Sequence, residues 1–200
     1  MIEVVKEREI RALYDNDTIT IYQAFRKEIA LPAIKAQTFV SPFKIERMTW
    51  IKPSFLWMMY RSGWAEKEGQ EHILAIKIKR EGFEWALQNS CLSTYREDTY
   101  KTQENWKEKL NIAPVRIQWD PEKNLFLDKL NYKSIQIGLK EEAVKKYVND
   151  WIMQIDDITD LSKEIHELIL NNCIEKAKDK LPKEKIYPLP DDIKLIINAT

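Results

Sequence analysis

The sequence predicts an α+β domain, and three observations carry that expectation. β-branched and aromatic strands alternate with short helices up to about residue 139, and longer amphipathic stretches follow. No internal repeat, low-complexity run or Pro/Gly/Ser linker divides the chain. At 200 residues it suits a single domain, 1–200, with a mixed α/β core over 1–139 and a helical part with an extended tail over 140–200.

In chain order, residues 18–25 (TITIYQAF) form a strand of β-branched and aromatic residues. Residues 29–37 read as a short helix, with Pro32 tolerable only near its first turn. Residues 47–51 are extended, and Pro53 asks the same of the residue before it. Residues 54–63 (SFLWMMYRSG) read as a two-turn helix opened by Ser54 and stopped by Gly63, burying Phe55, Leu56, Met59 and Tyr60. Residues 73–79 form a strand with Leu74, Ile76 and Ile78 on its apolar face, and residues 81–89 a short helix. Residues 114–120 and 134–138 are strands. Residues 140–153 repeat apolar positions with helical period (Ala143, Val144, Tyr147, Val148, Trp151, Ile152), and residues 160–178 do so again. The tail from Lys185 is extended.

Composition narrows the function classes. Lys+Arg and Asp+Glu are both 32, so no whole-surface attraction to nucleic acid or membrane is expected, though a local basic groove is allowed. All eight arginines lie at or before position 116, which makes that part the better place for an anion. The longest uncharged apolar run, residues 53–60, is far short of the roughly 20 residues of a membrane span. The charged start MIEVVKEREIRALYDND is unlike a secretory signal, and the two separated cysteines, Cys91 and Cys173, fit a reducing compartment; a cytoplasmic protein is expected. There is no GxGxxG, GxxxxGK[ST] or HExxH, and with two histidines no metal site is expected.

Three stretches can carry chemistry. In residues 115–122 (VRIQWDPE), alternation puts Val115, Ile117 and Trp119 on one face and Arg116, Gln118 and Asp120 on the other. That polar face either meets solvent or lines a cleft, where a carboxylate stabilises positive charge or accepts a proton and the amide positions a substrate. Residues 48–64 pack three Trp with Lys52 and Arg61 around a helix opened by Ser54. Cations, flat rings and free helix N–H groups together suit an anionic ligand carrying a base. In residues 22–26, Tyr22 and Gln23 point to opposite faces of a strand end and Arg26 is placed for phosphate.

These stretches, with residues 9–15 (EIRALYD), 134–139 (SIQIGL) and the Tyr187-Pro-Leu-Pro190 ending, resemble domain-of-unknown-function family 4291 over nearly the whole chain. The family has been grouped with the ADP-ribosyltransferase-like superfamily, whose members bind NAD in the cleft of a split β-sheet. The resemblance therefore implies a split, mixed β-sheet core of that type and NAD as co-substrate. Gln118-Trp-Asp120 looks like a shortened Gln-x-Glu motif, which implies catalytic roles for Gln118 and Asp120, with Glu122 as the alternative acid. It further implies NAD contacts from Tyr22, Gln23, Arg26, Lys52, Ser54 and Arg61, and a nicotinamide-stacking ring at Trp57 or Tyr60. The acceptor is expected to be nucleic acid or protein. The competing expectation is a non-catalytic nucleotide or nucleic-acid binding module built on the same rings and cations.

Overall fold

A computed structural model describes residues 6–200; residues 1–5, the first part of the charged start, lie outside the described residues. The chain opens with β1 (Arg11–Ala12), β2 (Thr18–Phe25), α1 (Lys27–Ala36), β3 (Thr49–Ile51) and α2 (Phe55–Ser62). It continues through β4 (His72–Lys79), α3 (Arg80–Gln88), β5 (Ser90–Leu92), α4 (Glu97–Tyr100), α5 (Gln103–Ile112), β6 (Val115–Lys123) and β7 (Lys129–Leu139). After α6 (Glu142–Lys146) come a π-helical turn (Tyr147–Trp151), β8 (Ile152–Asp157), α7 (Thr159–Leu170), α8 (Ile174–Lys180), β9 (Lys185–Ile186) and α9 (Asp191–Ile197). The fold is α+β.

Two sheets organise these elements. One is antiparallel, in the order β2-β4-β8; the other runs β3-β7-β6-β5, with only β5 parallel to its neighbour β6. They touch edge to edge through an isolated bridge between Tyr22 and Lys52, where the Tyr22 N–H donates to the Lys52 carbonyl at 2.7 Å. The β-structure is therefore split, with a seam beside β2 and β3. Leu74, Ile76 and Ile78 of β4 join Ile117, Ile135 and Ile137 in the larger core, as the alternation predicted. Each such side chain contributes roughly 1.5–3 kcal/mol by leaving water. On its other face the β2-β4-β8 sheet sends Tyr22 and Ile73 into a second apolar cluster with Phe55, Met59 and Ile165.

Local signals set α2 closely. Ser54 is its N-cap, its Oγ accepting from the Trp57 N–H at 3.2 Å, and Gly63 ends it at φ 57°. The buried face differs from the expected one. Trp57 and Met58 are buried with Phe55 and Met59, whereas Tyr60 is 49% exposed and Leu56 only partly covered. Pro32 sits in the sixth position of α1 rather than its first turn, because the helix begins two residues earlier than expected.

The C-terminal part corrects three expectations. Residues 140–153 are not one helix: α6 passes into the π-helical turn, and Ile152 onward becomes β8. The open edge of β4 takes these residues as a strand and satisfies their backbone, so one apolar pattern serves two structures. Residues 160–178 are two helices, broken at Asn171-Asn172-Cys173, where Asn172 takes the left-handed conformation at φ 56°. The tail pairs with β1 at β9, stays non-helical through Pro190 and turns helical only from Asp191. β5, α4 and α5 carried no signal in the sequence reading. No helix among the described residues is long and apolar enough to cross a membrane.

The π-helical turn aims Trp151 at α3. A Cβ built on Gly82 would stand 2.4 Å from the Trp151 Cγ, so only glycine admits the indole there. Gly82→Ala is expected to lower stability by about 1–3 kcal/mol through this overpacking, read as a lower urea midpoint with an unchanged slope.

Candidate functional site

The polar face of β6 and β7 floors a cleft along the seam. Cross-strand pairing sets its rows: Trp50 and Arg116 flank Gly138, and Gln118 faces Gln136, then Asp120 faces Ser134. The cleft holds about 560 Å³, within the roughly 300–1,000 Å³ of ligand pockets. Gln118, Gln136 and Trp50 line it from the sheet, Trp57, Met58 and Arg61 from α2, and Gln23, Phe25, Met48 and Thr49 from its upper end. A second hollow of about 250 Å³ shares Phe25, Met48 and Thr49 with it and is lined by Arg26, Lys44 and Arg47. Among the described residues, Arg26 alone of these three cations has a carboxylate within 4 Å, Glu28 at 3.8 Å, and both side chains are exposed.

Beside Gln118, on the same face of β6, lies a largely buried ion pair. Lys52, 1% exposed, donates from Nζ to Asp120 Oδ2 at 3.2 Å and sits 3.7 Å over the centroid of the Trp57 ring. Burial pushes the Lys52 ammonium down to about 8, against the opposing pull of the Asp120 and Glu122 carboxylates. Asp120 Oδ1 in turn accepts from Gln118 Nε2 at 2.7 Å. That bond orients the amide, which keeps its oxygen and a second N–H for a ligand.

A second knot closes the N-terminus of α2. Ser54 Oγ donates to Glu122 Oε1 at 2.8 Å, and the Lys123 N–H donates to the same oxygen at 2.8 Å. Glu184 reaches in from the segment before β9 and accepts from the Phe55 N–H at 2.7 Å. Its carboxyl is enclosed although its residue keeps some exposed surface, and burial raises it to about 8, with the nearby Glu122 pushing the same way. Tyr22 packs edge-on against Phe55 at 5.6 Å, and burial holds its hydroxyl well above the usual range.

A family model described as a domain of unknown function, DUF4291, matches residues 9–187. The chain belongs to that family. Among curated proteins none matches it.

Within this DUF4291 chain the residues singled out from sequence fall into three groups. Gln118, Gln23, Trp57 and Arg61 line the cleft, and Arg26 lines the adjoining hollow. Lys52 and Asp120 pair next to Gln118, beyond the cleft lining. Ser54, Glu122 and Tyr22 are enclosed around the start of α2, and Tyr60 lies outside the cleft with Lys123 Nζ 3.4 Å over its ring. Gln23 is committed on every side: its Nε2 donates to Thr49 Oγ1 and the Trp50 carbonyl, and its Oε1 accepts from the Tyr147 hydroxyl. Sequence reasoning missed Trp50, Gln136, Lys44 and Arg47. The strand period linking Trp50 to Lys52 was a usable signal for the first. The two histidines are elsewhere, His72 paired with Asp157 at 3.2 Å and His166 stacked on Trp64 at 5.2 Å.

Proposed function

We propose that the paired hollows bind a nucleotide, with NAD as donor of ADP-ribose to an acceptor outside the chain. The observation that carries the nucleotide is their adjacency: a cleft of rings and amides opens into a hollow lined by Arg26, Lys44 and Arg47. The first suits a base or nicotinamide, the second its phosphates. The NAD reading draws further support from the split sheet, since the cleft follows the seam marked by the Tyr22–Lys52 bridge.

In the transfer, the bond from ribose C1′ to the nicotinamide nitrogen breaks and the nitrogen keeps the electron pair. The acceptor's nucleophile bonds C1′ and releases a proton. Asp120, hydrogen-bonded to Gln118, is the carboxylate that stabilises the charge developing on the ribose. Glu122 is the poorer candidate, being enclosed and bonded to Ser54 and the Lys123 N–H.

Asp120→Asn keeps an acceptor for Gln118 and removes the charge. Nicotinamide release from NAD, followed by chromatography with a mixed protein and nucleic-acid acceptor pool, is expected to fall roughly 100-fold or more while NAD still binds. Failure of the unsubstituted protein to bind NAD or release nicotinamide overturns the NAD reading.

One observation favours a second reading. Lys52 neutralises Asp120, which weakens that carboxylate as a stabiliser of positive charge. A non-catalytic nucleotide or nucleic-acid binding module needs no such charge. It would bind with a steep salt dependence carried by Arg26, Lys44 and Arg47 and remain indifferent to Asp120→Asn.

A further inference from the structure

Of the aromatic rings at the cleft, Trp50 stands apart. Trp57, expected from sequence to stack a ligand, is 8% exposed and already carries the Lys52 ammonium over its ring. Tyr60, the other expected ring, lies outside the cleft beneath Lys123. Trp50 is partly exposed, lines the cleft, and has no ring or cation stacked on it among the described residues. Its six-membered ring lies over Gly138, where a Cβ would come within 2.9 Å of Cη2 and Cζ3. One of only four glycines in the chain thus lets the indole lie close against the sheet.

One amide beside this ring has a fixed sense. Gln118 gives one amide N–H to Asp120, which fixes its orientation and leaves its oxygen and second N–H, and Gln136 stands opposite it in the neighbouring strand. An amide oxygen and N–H beside an open indole reward a planar ring that brings an NH2 group and a neighbouring acceptor to its edge.

We infer that Trp50, seated on Gly138, is the stacking surface of the cleft, and that the cleft selects a planar heteroaromatic ring bearing an exocyclic amino or carboxamide NH2 group. This rests on the nucleotide reading and adds to it the ring chemistry and the residue that meets the ring. Adenine and nicotinamide both meet the requirement. Their deaminated and deamidated counterparts set an oxygen acceptor or a carboxylate against the Gln118 oxygen, and are disfavoured.

Calorimetric titration with AMP, IMP, NAD and deamido-NAD tests this. If adenine occupies the site, AMP binds about tenfold more tightly than IMP; if nicotinamide does, NAD exceeds deamido-NAD by a similar factor. Trp50→Leu is expected to weaken the preferred ligand at least about fivefold, as loss of a base-stacking ring does. Gly138→Ala, which displaces the indole without removing it, is expected to weaken it in the same direction, with circular dichroism reporting the fold of both variants. Binding by the unsubstituted protein that is indifferent to the NH2 group and to both substitutions overturns the inference and leaves the nucleotide reading standing. No binding of any of the four overturns both.

Discussion

Lys52→Met is expected to destabilise the protein by about 3–5 kcal/mol, because removing one partner leaves the Asp120 carboxylate unpaired in a largely buried setting. The geometry makes the case. Lys52 is almost wholly enclosed, its ammonium meets Asp120 at 3.2 Å, and the Trp57 ring covers it. The double variant Lys52→Met with Asp120→Asn should recover much of the loss, since both charges then go together while Gln118 keeps an acceptor. Urea unfolding of the two single variants and the double closes the cycle. A loss as large in the double as in Lys52→Met alone would mean that packing, and not the unpaired charge, set the cost.

The second large effect is a pH profile set by Glu184. Its carboxyl titrates near 8 in the folded protein against 4.5 ordinarily. Between those values the folded state holds the proton and the unfolded state does not. Stability from this group is therefore full below about 4.5 and is lost as pH rises towards 8. Lys52 acts in a different window. Its folded value of about 8 lies below the ordinary 10.5, so the unfolded state binds more protons between them and stability from this group rises with pH there. Glu184→Gln should keep an acceptor for the Phe55 N–H and flatten the decline between about pH 5 and 8, a change of a few kcal/mol across the window. Chemical denaturation at pH 5, 6, 7 and 8 reads it. Parallel slopes in the two proteins would mean that Glu184 keeps an ordinary titration in the fold.

Both effects come from contacts across long stretches of chain, which marks what the sequence could and could not show. The bounds of α2 were legible almost to the residue because their signals are local, a serine cap and a glycine stop, whereas its buried face depends on what packs against it. The strands β2, β4 and β6 were legible through β-branched content and alternation, and the alternation also placed Gln118 on the polar face that floors the cleft. β8 was hidden because its first residues, Ile152 and Met153, end a stretch of helical period and the rest, QIDD, holds a single β-branched residue; pairing with the edge of β4 makes it a strand. β5 is three residues long, too short for any period to register. At the site, the Lys52–Asp120 and Ser54–Glu122 contacts each join residues 68 positions apart, and Glu184 enters from 129 residues beyond Phe55. Gln23 was read as a ligand contact from its strand position, yet three internal hydrogen bonds occupy its amide, a matter of packing that spacing does not reveal.

The location of the bound nucleotide tests the account most directly. Met48 and Met58 line the cleft, whereas Met59 is buried in the second apolar cluster and Met153 projects from β8. Methyl NMR of protein labelled at methionine, titrated with NAD and with ADP-ribose, is expected to show saturable shifts at Met48 and Met58 and little change at Met153. Shifts confined to Met153, or no shifts at millimolar ligand, would contradict the nucleotide cleft.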